Sequence, residues 1–355
     1  MLIGIAVLPV AVGFGRYEKS LPDEAPPLPS RLDSYQLSAR PNSLGGPRRN
    51  RKDRHTMSQT AAPVSVWTAG GYQLAEGARW VAGRLVYVDI LSGRLFEISA
   101  SGPATPQLLA NLSVPLGAVA PVAGKPDDWI VAAGTGIALL HSDGQPEWLD
   151  RPEDGGSTAT RMNDAVCDPA GRFWAGSMAY DQTPGAGSLY RTDHDGSVHK
   201  VLDGITIANG PAFSADGTTM YYADTPTGKV FRCAVDPISG TLATPEIFLE
   251  IPGEDGAPDG MVVDNNGFLW LALWGGNAIR QYAPDGSLAT HIAVPAPQPT
   301  SVCLVPEGGR AFVTTAAAGL DNPQETSGAI LSIDLTTIES STGREAQAFG
   351  AREQT

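Results

Sequence analysis

The sequence predicts an all-β fold, a six-bladed β-propeller with four-stranded antiparallel blades around a central channel. Three observations carry this reading. From residue 66 onward no strongly periodic helical segment appears, and short β-rich runs alternate with Gly and Asp turns. Six segments then share one form: a turn residue, an apolar strand, a turn and a second strand. A further apolar strand rich in small residues precedes each of the six.

The six repeats start at Gly83, Asp127, Gly171, Gly217, Gly267 and Gly309, at intervals of 44, 44, 46, 50 and 42 residues. A four-stranded blade takes about 40–50 residues, and propellers carry about four to eight blades. The preceding strands are GARWV, GAVAPV, DAVCD, GPAFS, GMVVD and SVCLV. The innermost strands of a propeller crowd around its axis, which accounts for their small residues. A sandwich or jelly roll would not require one period throughout. The stretch SVWTAGGYQ, before Glu76, is expected to form the outer strand of the last blade beside AILSIDL. That closure fastens the ends of the ring and removes an exposed edge.

The 355 residues are 42% apolar, enough for a substantial core, and only 17% charged, which argues against a coiled coil. No apolar run reaches the roughly 18 residues of a membrane span. The net charge of −14 disfavours phosphate backbones, which reward clustered Lys and Arg, and suits a protein that attracts cations. Neither nucleic acid nor membrane is therefore expected as a partner. Cys167, Cys233 and Cys303 match no zinc or redox spacing and read as reduced, structural residues.

The first 56 residues differ from the rest. Residues 1–15 are apolar and uncharged, whereas residues 16–56 are Pro-rich with nine Lys or Arg against five Asp or Glu. No positive charge precedes the apolar stretch, so it makes a weak signal segment, and a cytoplasmic location is expected. MSQTAAPVSVW, from Met57, reads as an ordinary start of translation. The expected organisation is a disordered extension over 1–65, a propeller over 66–340 and a flexible tail over 341–355.

One register position carries the chemistry. Glu76 lies seven residues before Gly83, while Asn163, Asn209 and Asp259 each lie eight before Gly171, Gly217 and Gly267. These four read as the residues just before their inner strands. Equivalent positions in a radial repeat occupy equivalent places around the axis, so the four side chains should converge at one mouth of the channel. Taken singly, Asn-Gly and Asp-Gly merely make turns. Together, two carboxylates confined with two amides would repel, and a divalent cation resolves that. All-oxygen donors suit hard ions. None of the five histidines occupies an equivalent position, which argues against a His-based zinc site.

The segments EGARW, RMND, IANGPAFSADGTTMYYADT, PDGMVVDNNGFLWLAL and PQPTSV resemble the senescence marker protein (regucalcin)/gluconolactonase/luciferin-regenerating enzyme family, from about residue 70 to 335. The resemblance implies a six-bladed propeller with one axial divalent cation, Ca²⁺ foremost, with Zn²⁺, Mg²⁺ or Mn²⁺ as alternatives. It implies Glu76, Asn209 and Asp259 as metal ligands, Asp259 also as general base, and Arg161 and Asn163 as substrate-binding residues. The implied activity is hydrolysis of a small cyclic ester, foremost a sugar lactone, by a monomer or weak homo-oligomer. Two alternatives stay open: a metal-dependent phosphotriesterase on the same scaffold, and a non-enzymatic calcium-binding regulator. The loops around Pro152–Thr160 and Ala316–Ser327 look particular to this chain and leave the substrate open.

Overall fold

The first described strand belongs to the last blade. In the computed structural model, which describes residues 62–99, 104–338 and 342–351, β1 (Val64–Thr68) pairs antiparallel with β24 (Ile330–Asp334), Val66 opposite Leu331. This is the closure expected of the SVWTAGGYQ stretch. The expectation for residues 1–61 lies outside the described residues.

The other strands follow the chain around the ring. Blade 1 holds β2 (Ala75–Val81), β3 (Arg84–Asp89), β4 (Arg94–Ser99) and β5 (Gln107–Asn111). Blade 2 holds β6 (Leu116–Val122), β7 (Lys125–Ala133), β8 (Gly136–Leu140) and β9 (Pro146–Asp150). Blade 3 holds β10 (Thr160–Cys167), β11 (Phe173–Ala179), β12 (Gly187–Thr192) and β13 (Val198–Ile205). Blade 4 holds β14 (Ala208–Phe213), β15 (Thr219–Asp224), β16 (Lys229–Ala234) and β17 (Glu246–Glu250). Blade 5 holds β18 (Ala257–Val263), β19 (Leu269–Trp274), β20 (Ala278–Tyr282) and β21 (Leu288–Ala293). Blade 6 holds β22 (Pro299–Leu304), β23 (Arg310–Thr315), β24 and the returning β1. Among the described residues the only helical pieces are two short 3₁₀ turns, Thr225–Thr227 and Gly253–Asp255. None is long and apolar enough to cross a membrane.

The core is divided between the blades. Six buried apolar clusters each join two neighbouring sheets, from Val88 with Val131 between blades 1 and 2 to Tyr87 with Phe312 between blades 6 and 1. Each blade buries both faces, so the ring must close before the last face is covered. Recurrent turns pin the hairpins. Asp168 accepts from the Arg172 amide (2.9 Å) and Trp174 Nε1 (3.0 Å), and Asp264 does the same for Phe268 and Trp270 Nε1, both at 2.9 Å. Cys167, Cys233 and Cys303 are buried and free, and burial pushes the Cys303 thiol up to about 12.

Residues 342–351 depart from the flexible tail that composition suggests. They run across the ring at the C-terminal ends of the inner strands. Backbone bonds join Ala346 to Trp80, Phe349 to Pro121 and Ala123, Gly350 to Gly171 and Gly343 to Val305. Arg344 Nη2 donates to the carbonyls of Phe213 (2.9 Å) and Val263 (3.0 Å). The segment thus touches all six blades, and Phe349 is buried against blades 2 and 3. Between it and the inner strands lies a cavity of about 80 Å³ lined by residues including Arg79, Cys167, Met261 and Cys303.

Candidate metal centre and active site

Four inner strands bring Glu76, Asn163, Asn209 and Asp259 to the opposite end of the axis, each 3–5% exposed. They sit within β2, β10, β14 and β18 rather than just before them. The reason is a β-bulge at the same level of each strand: pairing slips between Glu76 and Arg79, Met162 and Ala165, Asn209 and Ala212, and Pro258 and Met261. A bulge re-aims side chains and is built from residues that also make turns, which is why the sequence resembles a loop there. β6 and β22 slip at the same level, at Gly117 and Thr300. Gly210 has φ 75°, which the bulge requires. A Cβ on Gly260 would lie 2.7 Å from the Thr300 carbonyl oxygen of the next inner strand.

The two amides form a directed network. Arg161 Nη1 donates to Asn163 Oδ1 (2.7 Å) and to the Met162 carbonyl (2.9 Å). Asn163 Nδ2 donates to the Ala208 carbonyl (3.0 Å) and to Asn209 Oδ1 (2.7 Å). Asn209 Nδ2 donates to Thr225 Oγ1 (2.8 Å), whose hydroxyl donates to the Pro258 carbonyl (2.8 Å). Arg161 is itself 5% exposed and bonds Asn163 directly.

The carboxylates are crowded. Glu76 Oε2 accepts from the Gly77 amide (2.6 Å), and Asp259 lies within hydrogen-bonding reach of Glu76. Burial, with the Asp164 charge added, pushes the Glu76 carboxyl up to about 8. Burial, then the charges of Glu76 and Asp164, holds Asp259 well above the usual carboxylate range. Asp164 is the residue that sequence reasoning missed. It is 2% exposed, raised by burial, and paired with Arg79 Nη2 at 3.1 Å. Arg79 also donates to the carbonyls of Ala165 (2.6 Å) and Ala78 (2.9 Å). Asp164 follows Asn163 directly, and strand alternation would send the two to opposite faces. The bulge brings both to the axis. EGARW and RMND held Arg79 and Asp164 in plain view, but no spacing rule paired them.

Arg79 is paired with Asp164 and its charge also reaches Glu76, while Glu76 and Asp259 stand within hydrogen-bonding reach of one another. A hard divalent cation fits that donor set: two carboxylates plus the Asn209 amide oxygen. Among the described residues no group of three or more His, Cys, Asp or Glu is arranged to hold a metal, consistent with a set that counts an amide among its donors. Beside the site, Glu153 anchors the loop before Arg161. It accepts from Tyr190 Oη (2.8 Å) and Ser177 Oγ, and its amide donates to the Thr135 carbonyl.

A closed ring of six four-stranded blades with buried carboxylates at one end of its inner strands defines the class, a six-bladed β-propeller. The chain belongs to the SMP-30/gluconolactonase/LRE-like family, whose model matches residues 74–317. It is 34% identical over 275 residues to pentonolactonase XacC of Haloferax volcanii, covering 74% of this chain and 91% of that one. It is 33% identical over 262 residues to L-arabinolactonase of Azospirillum brasilense, covering 70% and 83%. Among solved structures it is similar to regucalcin from Agrobacterium tumefaciens, described as a calcium-binding protein, with TM-score 0.73, 28% identity and coverage of 81% and 98%.

Proposed function

We propose that this protein hydrolyses a sugar lactone with one divalent cation held by Glu76, Asn209 and Asp259. The observation that carries the reading is the pair of buried carboxylates, Glu76 and Asp259, carried at the same bulge level as the buried Asn209 amide. Relatives named as pentonolactonase and L-arabinolactonase support the substrate class. When bound, the cation would draw electron density from the lactone carbonyl and make a nearby water more acidic.

The residues divide the remaining work. Asp259 accepts the proton of the attacking water as its oxygen bonds to the carbonyl carbon. The ring C–O bond then breaks, and the proton returns to the departing alkoxide to give the open hydroxy acid. The carboxylate neighbours of Asp259 strengthen it as a base. Asn163 and Arg161 bind ring or hydroxyl oxygens at the rim, and Glu153 holds the adjoining loop. Glu76 and Asn209 act by ligation alone. The test is a screen of five- and six-membered aldonolactones with chelated protein reloaded with Ca²⁺, Zn²⁺, Mg²⁺ or Mn²⁺. An organophosphate triester panel runs beside it. Lactone turnover in reloaded protein supports the reading. Turnover confined to the triesters, or metal uptake without hydrolysis, would replace it.

A further inference from the structure

We infer that Thr225 is a positioning residue of the axial site, fixing which atom of the Asn209 amide faces the cation and tying the Asn209 bulge to the Asp259 bulge. The inference rests on the reading of Asn209 as a metal ligand. The argument is one of hydrogen-bond polarity. Asparagine presents an oxygen and an NH₂ of nearly equal size, and only its neighbours decide which points where. Thr225 has a single hydroxyl proton. The Pro258 carbonyl, 2.8 Å away, can only accept, so it takes that proton. The Thr225 oxygen is then left to accept, and the group facing it at 2.8 Å must be Asn209 Nδ2.

The far end of the network demands the same polarity. The Arg161 guanidinium can only donate, so the Asn163 oxygen faces it at 2.7 Å. Asn163 Nδ2 is therefore directed at the Ala208 carbonyl and at Asn209 Oδ1. Two independent termini, a donor-only cation on blade 3 and an acceptor-only carbonyl on blade 5, agree on one orientation for both amides. Asn163 uses one lone pair of the Asn209 oxygen and leaves the other for a ligand.

The position of Thr225 serves a second purpose. Pro258 immediately precedes Asp259 in the bulge of β18. One buried hydroxyl thus joins the side chain of one ligand to the backbone that carries another. Thr225 itself stands at the end of blade 4's second strand, 9% exposed, where the 3₁₀ turn Thr225–Thr227 holds its backbone. Its two side-chain bonds go to the Asn209 amide and the Pro258 carbonyl, so its effect passes through Asn209 and Asp259.

The experiment titrates chelator-stripped wild type, Thr225→Val and Thr225→Ser with Ca²⁺ by calorimetry, each checked for folding by thermal melting. Valine keeps the shape and removes both bonds, while serine keeps both. Losing a residue that orients a ligand weakens metal affinity about 10- to 100-fold, and that loss is expected for Thr225→Val, with Thr225→Ser close to wild type. Folded Thr225→Val binding Ca²⁺ as tightly as wild type overturns the inference while leaving the cation reading intact. Thr225→Ser binding as weakly as Thr225→Val also overturns it, because the hydroxyl would then not be the cause. If Thr225→Val does not fold, Thr225→Ala is read against Thr225→Ser in its place. Failure of wild type itself to bind Ca²⁺, Zn²⁺, Mg²⁺ or Mn²⁺ removes the cation reading and this inference together.

Discussion

Replacing Asp259 with asparagine changes charge with almost no change in shape, and its two consequences have opposite signs. The fold holds the Asp259 carboxyl well above its ordinary 3.8 through burial and the charges of Glu76 and Asp164. A group raised in the folded state contributes fully below its unfolded value, and that contribution is lost as pH rises toward the folded value. As pH rises, the unfolded chain therefore releases this proton before the metal-free fold does. Keeping Asp259 protonated therefore costs the metal-free fold stability as pH rises above 3.8. Asparagine is neutral already and still offers an N–H to Glu76. Metal-free Asp259→Asn should therefore be more stable than metal-free wild type at pH 7, and the gain should shrink toward pH 4. Lactone hydrolysis should fall at least about a hundredfold, as expected on losing a general base, even with excess metal. Urea unfolding in chelator at the two pH values and a lactone assay read both effects. A metal-free variant less stable than wild type at pH 7, or full hydrolysis by the variant, would refute the reasoning.

Other expectations concern the rim, the C-terminal segment and one surface histidine. Arg161→Ala should lower kcat/KM with metal content unchanged by elemental analysis, whereas loss of the folded state would make Arg161 structural. Phe349→Ala should destabilise the protein by about 3–5 kcal/mol, the range for a buried phenylalanine, measured by urea unfolding. A change below 1 kcal/mol would mean that the segment does not clasp the ring. His141 Nδ1 lies 3.0 Å from Asp128 and Nε2 lies 3.1 Å from Glu147, and these bonds raise its pKa above 6.5. An NMR titration should show that rise, and Asp128→Asn should reduce it.

The propeller was legible because its evidence is periodic: six turn anchors, six inner strands of small residues and a spare strand ahead of the first blade. Glu76, Asn209 and Asp259 were legible for the same reason, since one bulge per blade holds them at one level. What escaped was whatever broke a local rule. The bulges read as turns preceding strands because Gly77, Gly210 and Gly260 follow Glu76, Asn209 and Asp259. Asp164 was hidden by the alternation that its own bulge suspends. Arg79 sits two residues past the Glu76–Gly77 pair, and its partner is 85 positions away. Thr225 lies just past the end of β15, across the hairpin from Asn209, where no spacing rule singles out a threonine. The C-terminal segment TGREAQAFGA has no periodicity and a single apolar anchor, Phe349, so its composition resembles a free tail. Backbone bonds to several blades hold it, and those leave no mark on side-chain pattern.

The central claim is that Glu76, Asn209 and Asp259 hold a divalent cation that lactone hydrolysis requires. Its most direct test is the rate of aldonolactone opening by protein stripped with chelator, verified metal-free by elemental analysis, and then reloaded with one equivalent of Ca²⁺, Zn²⁺, Mg²⁺ or Mn²⁺. The account predicts loss of hydrolysis on stripping, recovery with at least one of these ions, and a higher melting temperature in the reloaded protein. Hydrolysis at the full rate by verified metal-free protein would contradict it.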